Sequence, residues 1–260
     1  MTYNGTFEAL KPTSVHFKAG EFTVLLGTSG AGKSTMLRMI NMLNKPSCGE
    51  IYIEGFGKLE TDDASLRRVR RQVAMVFQQH QLIPRQTALQ NVLVGLLGSH
   101  ASWRTFFPFS RDDQRFALQC LDRVGLLHKA NERVDNLSGG QQQRIGIARA
   151  LAQKPSVILA DEPVASLDPK SSEKVLSILH RICAEENLTA IVSLHQVELA
   201  LNFADRVIGL SEGKVVFDGR AEQLSKEDLT SIYNELTVQA PQEKVSAMKF
   251  PLFQPASEQV

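Results

Sequence analysis

A glycine-rich loop from Gly27 to Ser34 has the residue spacing of a polyphosphate-binding loop. Its sequence, Gly-Thr-Ser-Gly-Ala-Gly-Lys-Ser, fits the pattern G-x-x-x-x-G-K-[ST]. Glycines let the backbone bring its N–H groups close to phosphates, and a helix that begins there adds the positive end of its dipole. We therefore expect Lys33 to contact the β- and γ-phosphates of a nucleotide and Ser34 to bind Mg²⁺. A glycine turn without a ligand is the alternative, but the flanking strand and helix patterns favour phosphate binding.

Polar side chains follow two apolar runs that have the composition of buried strands. Asp161 and Glu162 follow the run 157–160, and His195 follows the run 189–194. Parallel strands bring their carboxyl ends to one sheet edge, where ligands of α/β proteins bind. We expect Asp161 to hold the Mg²⁺ shell, Glu162 to act as general base, and a neutral His195 to contact the γ-phosphate or orient water. The alternatives are that Asp161 and Glu162 are solvated acids and that His195 only caps its strand. The phosphate loop elsewhere in the chain argues against both alternatives.

A second glycine pair, in Leu137-Ser138-Gly139-Gly140-Gln141, precedes a helical pattern. Ser138 is a good N-cap, which is the purely structural interpretation. Two glycines after a cap also expose amides at a helix N-terminus, which is a second phosphate-binding arrangement. One nucleotide does not need two such arrangements. Two copies facing head to tail would use both, each offering Ser138 to the γ-phosphate held by Lys33 of the other.

Strands alternate with helices along most of the chain, which indicates a parallel sheet covered by helices. The predicted strands are 21–26, 50–54, 73–77, 157–160 and 189–194, with a hairpin over 206–218 that turns at Glu212-Gly213. The predicted helices run from about Gly32 to before Pro46 and over 171–186, and residues 80–150 have the spacing of a helical insertion. The basic run 67–71 is interpreted as a solvated helix face.

The amino-acid composition limits the classes of protein to which the chain can belong. The 260 residues are 43% hydrophobic and 22% charged, which fits a globular fold with a sizeable core. A net charge of +1 gives no general attraction to nucleic acid. No apolar stretch is long enough to cross a bilayer and no signal peptide is recognised, so a cytosolic chain is expected. Cys48, Cys120 and Cys183 lie far apart and are interpreted as buried fillers, not as disulfides or metal ligands.

These motifs together resemble the nucleotide-binding subunits of ATP-binding cassette (ABC) transporters over nearly the whole chain. Six motifs carry the resemblance: Gly27 to Thr35 resembles the Walker A motif, Leu137 to Gln141 the signature, Val157 to Glu162 the Walker B motif, Gln78 the Q-loop, Ser166 to Asp168 the D-loop and His195 the H-loop. Their order along the chain makes coincidence negligible. The resemblance also implies that Tyr3 stacks on adenine, with Phe7 as the alternative.

The resemblance implies an α/β fold: a P-loop NTPase (RecA-like) core with a mixed sheet, an inserted α-helical subdomain and an N-terminal antiparallel β subdomain. The nucleotide-binding domain would span 1–240, with the core at about 1–80 and 150–220, the helical subdomain at about 80–150, and a polar tail over 241–260. The expected catalytic residues are Glu162, His195, Lys33 and Gln78, and the expected Mg²⁺ ligands are Ser34, Gln78 and Asp161. The expected ATP contacts are Tyr3, Gly27, Thr28, Ser29, Gly30, Ala31, Gly32, Lys33, Ser34, Thr35, Ser138, Gly139, Gly140, Gln141 and Asp168.

Three local stretches resemble the phosphonate-import branch of this family. They are 91–99 with the aromatic insertion 103–107, the segment 162–169, and Leu194-His195-Gln196-Val197. The branch implies an ATPase at the cytoplasmic face of the inner membrane that pairs with a second copy and with integral-membrane permease subunits, and that serves a solute-binding protein indirectly. Importers of phosphite or hypophosphite carry similar subunits and remain an alternative.

Two further classes of protein share some of these motifs. An ABC ATPase that acts on DNA would carry a long coiled coil or a metal module between the Walker loop and the signature, and the sequence between Gly32 and Ser138 has neither heptads nor paired cysteines. A regulatory subunit without hydrolytic activity would have lost Glu162 or His195. We therefore do not expect the protein to bind nucleic acid.

Overall fold

The computed structural model describes residues 1–3, 7–55, 57–79, 81–99 and 109–233. The strands are β1 Thr2–Tyr3, β2 Phe7–Glu8, β3 Phe22–Leu26, β4 Tyr52–Ile53, β5 Gly57–Lys58, β6 Val73–Val76, β7 Val157–Asp161, β8 Thr189–Leu194, β9 Arg206–Ser211 and β10 Lys214–Arg220. The α-helices are α1 Lys33–Ile40, α2 Asp63–Gln72, α3 Ala88–Val94, α4 Arg111–Arg123, α5 Gly139–Ala152, α6 Pro169–Glu186, α7 Val197–Phe203 and α8 Lys226–Tyr233. Short 3₁₀ helices lie at Gly95–Ser99, Leu127–Lys129, Val134–Asn136 and Ala221–Gln223.

A six-stranded mixed sheet forms the centre of the molecule, in the order β10-β9-β3-β8-β7-β6. The strands β9, β3, β8, β7 and β6 are parallel, and β10 adds antiparallel to β9. Two small antiparallel sheets, β1-β2 and β4-β5, lie apart from it. The predicted α/β class and mixed sheet are confirmed.

Alternate residues of the central strands enter two apolar clusters on opposite faces of the sheet. Val24 and Leu26 of β3 and Val192 of β8 belong to one cluster, whereas Leu25 and Ile191 belong to the other. The first cluster includes residues of α3 to α6, and the second includes residues of α1 and α2. Both faces of the sheet are therefore covered, which is why β3, β6 and β8 are buried along their whole length.

The parallel register aligns the carboxyl ends of the strands that carry the sequence motifs. Leu26 of β3 pairs with Leu194 of β8, Asp161 of β7 pairs with Ser193 of β8, and Val76 of β6 is level with Ala160. The loop after β3, the two acids at the end of β7 and the histidine after β8 thus emerge at one edge. This is the edge at which α/β sheets bind ligands.

Several sequence-based boundaries differ from the structure. The strand predicted over 50–54 is only Tyr52–Ile53, and helix α8 was not predicted at all. The arginines of the run 67–71 are exposed on α2, as expected for a solvated face. The aromatic insertion 103–107, the tail 241–260 and the side chains of Tyr3 and Phe7 lie outside the described part of the structure.

The cysteine prediction was partly wrong. Cys120 and Cys183 are buried, and burial raises the pKa of their thiols to about 11 and about 12, respectively. Cys48 is exposed, because it follows α1 in a polar loop. Within the described ranges, no helix combines the length and the apolar character that a membrane span requires.

Candidate nucleotide-binding site

The loop between β3 and α1 is fixed by two close backbone approaches that only glycine allows. A Cβ on Gly27 would lie 2.4 Å from the carbonyl oxygen of Leu210, and one on Gly32 would lie 2.7 Å from that of Ala9. Gly32 also has a φ of 103° and caps the N-terminus of α1. Thr28, Ser29 and Gly30 are exposed between these anchors, so the rim of the loop is open to a ligand.

Lys33 is the first residue of α1 and points back into the loop. Its Nζ donates hydrogen bonds to the carbonyl oxygens of Gly27, at 2.8 Å, and Thr28, at 2.9 Å. Burial lowers the pKa of Lys33, although the nearby carboxylates of Glu162 and Asp161 counteract this effect. A buried ammonium held by neutral carbonyls is suited to exchange those partners for anionic phosphate oxygens.

Asp161 ends β7 as a buried carboxylate beside the first helix turn. Its Oδ1 accepts hydrogen bonds from Ser34 Oγ at 2.7 Å and from Ser193 Oγ at 3.0 Å, and Arg38 lies 3.7 Å from Oδ2. A hydroxyl next to a carboxylate offers the hard oxygen donors that Mg²⁺ prefers, so the residues present fit this ion. Across the described ranges, no group of three His, Cys, Asp or Glu side chains could hold a metal.

Glu162 and His195 lie in direct contact beside Lys33. Nε2 of His195 contacts Oε1 of Glu162, which itself lies 3.9 Å from Nζ of Lys33. The other ring nitrogen of His195 lies 3.1 Å from the carbonyl oxygen of Gly27. The structure therefore brings the predicted base, the predicted histidine and the predicted lysine into one group with Ser34 and Asp161.

Two residues that sequence reasoning missed support this group. Ser193, fully buried on β8, accepts a hydrogen bond from the backbone N–H of Glu162 at 2.8 Å and donates to Asp161. Tyr233 donates from its hydroxyl to the carbonyl oxygen of His195 at 2.9 Å. A serine inside an apolar run and a tyrosine far along the chain give no local signal. Only the register between β7 and β8 could have pointed to Ser193, through its pairing with Asp161.

Glu162 adopts an uncommon backbone conformation, in which its N–H is hydrogen-bonded to Ser193. Its φ is 47°, in the left-handed region that a residue with a side chain seldom adopts. The hydrogen bond from its N–H to Ser193 offsets part of the cost of this conformation. Ser193 thus holds the backbone from which the Glu162 carboxylate extends.

We expect Ser193→Ala to lower ATP turnover about tenfold and to raise the Mg²⁺ concentration needed for half-maximal activity, since the lost hydroxyl removes the partner of the Glu162 N–H and one of the two hydroxyl donors to Asp161. Mg²⁺ titrations of the hydrolysis rate would measure both effects. Thr23→Val is the matched control, because Thr23 is a buried hydroxyl on β3 whose hydrogen bond goes to Glu21. An unchanged Mg²⁺ dependence in Ser193→Ala would contradict this role.

The second glycine motif forms the N-terminus of α5. Ser138 caps the helix: its Oγ accepts from the N–H of Gln141, and the side chain of Gln141 accepts from the N–H of Ser138. Ser138 and Gly139 are exposed. Cβ atoms on Gly139 and Gly140 would lie 3.2 Å from Leu167 and 3.3 Å from Ser171, respectively. Glycine at these two positions therefore lets the start of α5 pack closely against Leu167 and Ser171.

Asp168 forms the neighbouring N-cap, at α6. Its carboxylate accepts a hydrogen bond from the N–H of Ser171 at 3.0 Å, and hydrogen bonds from Ser171 lower its pKa. Among the described residues, no hydrogen bond or ion pair joins Ser138 or Asp168 to the group around Lys33. Gln78 is exposed just after β6. The predicted site residues around Lys33 thus form one group at the phosphate loop, and the signature residues are not hydrogen-bonded to that group.

A phosphate loop after β3, an acidic pair at the end of β7 and a glycine-led helix α5 on one α/β core define a P-loop protein of the ATP-binding cassette class. The family model described as ABC transporter matches residues 10–165, and the chain belongs to this family.

Similar curated proteins include import ATP-binding proteins. The chain is 58% identical over 233 residues to "Phosphonates import ATP-binding protein PhnC 3" of Nostoc sp., covering 90% of this chain and 88% of the relative. It is 57% identical to "Phosphite import ATP-binding protein PxtA" of Stutzerimonas stutzeri, covering 90% of this chain and 84% of the relative.

Solved structures of ABC proteins are also similar. The "Dimeric structure of a post-hydrolysis state of the ATP-binding cassette MJ0796 bound to ADP and Pi" has a TM-score of 0.73 and 40% identity, covering 83% of this chain and 91% of that one. cbiO1 from Clostridium perfringens, described as part of the ABC transporter complex cbiONQ, has a TM-score of 0.77 and 28% identity, covering 89% of this chain and 90% of that one. These similarities confirm the predicted fold.

Proposed function

We propose that the chain is the ATP-hydrolysing subunit of an ABC importer that takes up phosphonates across the cytoplasmic membrane. The observation that carries the ATPase assignment is the convergence of Lys33, Asp161, Glu162 and His195 at one sheet edge. The phosphonate assignment is supported by relatives of that name, one of them 58% identical. A peripheral position at the inner face of the membrane follows from this role.

Each residue of the loop group has a distinct task in hydrolysis. Lys33 exchanges its loop carbonyls for β- and γ-phosphate oxygens, and the loop amides bind the remaining ones. Ser34 and Asp161, with Gln78, would hold Mg²⁺, which neutralises phosphate charge when bound. Glu162 accepts the proton of the attacking water, and His195 stabilises the charge that develops on the γ-phosphate.

The signature completes the site of a second copy. Ser138 and Gly139 are exposed and Gly140 is half-buried at the N-terminus of α5, where the helix dipole favours an anion. Among the described residues, none of these three is hydrogen-bonded to Lys33 of the same chain, so we assign them to the γ-phosphate held by the other copy in a head-to-tail dimer. Asp168 lies at the neighbouring helix start and takes part in the same interface. The dimeric form of the similar cassette MJ0796 supports this arrangement.

The permease subunits would dock near the segment 78–84, between the sheet core and the helical region over about 80–150. Ile83 is 43% exposed there, which suits contact with an apolar face of a cytoplasmic helix. Closure of the ATP dimer would move this surface and turn the transporter outward. A solute-binding protein would act on the permease and touch the ATPase only indirectly.

Phosphite is the second candidate solute, because the named phosphite relative is 57% identical over the same length as the phosphonate relative. The ATPase does not contact the solute, so its own site residues do not separate the two.

Deletion of the gene is expected to abolish growth on a phosphonate as sole phosphorus source and to leave growth on phosphate normal. Restoring the unmodified gene should restore growth, and restoring the Glu162→Gln gene should not. Growth curves on methylphosphonate, phosphite and phosphate measure this. Loss of growth on phosphite alone would favour the second candidate, and normal growth on both would contradict the importer assignment.

A further inference from the structure

We propose that Tyr233 is a positioning residue for ATP hydrolysis and that it acts by holding the backbone of His195. The phenolic O–H of Tyr233 donates to the carbonyl oxygen of His195 at 2.9 Å, across 38 residues of sequence. This inference rests on the proposed ATPase function and extends it to α8, a helix to which none of the sequence motifs gives a role.

His195 needs support from outside its own loop. It lies between the end of β8 and the start of α7, whose N-cap, Gln196, makes no side-chain capping hydrogen bond. The three ring contacts of His195, to Gly27, Lys33 and Glu162, are to groups that belong to the nucleotide site itself. The hydrogen bond from Tyr233 acts on the backbone and is therefore independent of the groups that must rearrange when a nucleotide binds.

Helix α8 is anchored firmly enough to provide this support. Ser225 accepts from the N–H of Asp228, and Asp228 accepts from the N–H of Ser225, so the start of the helix is capped. Ile232 is fully buried beside β9, where a Cβ on Gly209 would lie only 2.5 Å from its Cδ1. Gly209 thus lets α8 approach the sheet closely, and the helix cannot slide without losing this packing.

The Tyr233 hydroxyl can donate a hydrogen bond throughout the neutral pH range. Its side chain is partly buried against the core, and burial raises its pKa to about 12, so it keeps its proton at neutral pH. A hydrogen bond that is shielded from water restrains its acceptor more than an exposed one does. The carbonyl of His195, and with it the direction of the imidazole, is therefore fixed by α8.

Tyr233→Phe removes only the O–H, and we expect kcat for ATP hydrolysis to fall about fivefold, which is the kinetic effect of one lost hydrogen bond. The KM for ATP should stay within about twofold, because Tyr233 does not touch the nucleotide. Ser231→Ala is the matched control: it removes an exposed hydroxyl of the same helix, which bonds to Glu227. It should leave kcat unchanged in the full-length chain.

A second measurement separates positioning from simple loss of stability. The imidazole ¹⁵N resonances of His195, identified by their absence in His195→Ala, should shift in Tyr233→Phe and not in Ser231→Ala. Unchanged resonances, an unchanged kcat, or an equal fall of kcat in Ser231→Ala would each overturn the proposal. Absence of ATP hydrolysis by the unmodified chain would instead contradict the proposed function, and the imidazole resonances would still decide whether Tyr233 positions His195.

Discussion

Glu162→Gln is expected to abolish most ATP turnover while leaving ATP binding intact. Glutamine keeps the size of the side chain but cannot accept a proton, and the loss of a general base costs about 10³-fold in rate. Binding should persist because Lys33, Ser34 and the loop amides are unchanged. Single-turnover hydrolysis and ATP titration would measure the two effects separately.

The same substitution should trap a closed dimer with ATP. Without hydrolysis, the γ-phosphate stays between the loop of one copy and the signature of the other, so size-exclusion chromatography with Mg·ATP should show twice the monomer mass. Adding Ser138→Arg to Glu162→Gln should prevent this dimer, since a bulky side chain would block the N-terminus of α5. Hydrolysis at the full rate in Glu162→Gln would refute the assignment of the base. Full activity in a strict monomer would refute the shared site.

Lys33→Met should weaken ATP binding about 10- to 100-fold, because a charged hydrogen-bond donor to phosphate contributes roughly 1.5–3 kcal/mol. Methionine keeps an unbranched side chain in the buried position and removes the ammonium, so the fold should tolerate it. Calorimetric titration with ATP measures the change in affinity.

Lys170→Met provides the comparison for this substitution. Lys170 is an exposed lysine in the first turn of α6, and its replacement alters net charge equally without touching the loop. Its ATP affinity should match that of the unmodified chain. Equal affinity in Lys33→Met and in the unmodified chain would count against the phosphate loop.

Much of the candidate site could be predicted because most of its functional side chains lie within short segments of sequence. The loop 27–34 carries its glycines, lysine and serine within eight residues, and the strand and helix beside it follow from local patterns. The convergence of Asp161, Glu162 and His195 followed from one general rule, that parallel strands share a carboxyl edge. The register of β7 and β8 agrees with that rule.

The remaining features depend on contacts between distant segments. Sequence patterns did not show that Ser193 would join Asp161 to Glu162, nor that α8 would form and bring Tyr233 to His195. They also gave no sign of the left-handed backbone at Glu162.

The amino-acid sequence by itself thus determined the class of fold and contains the phosphate-loop and signature motifs, and it predicted Asp161 and Glu162 as the acidic residues of the site. Only the tertiary structure decided how those side chains are oriented, because orientation is set by hydrogen bonds from residues tens or hundreds of positions away. Local propensities and motif spacing carry information about segments that are only a few helical turns or one strand long. Register and helix docking, in contrast, are fixed by burial of the whole core, which no short segment encodes.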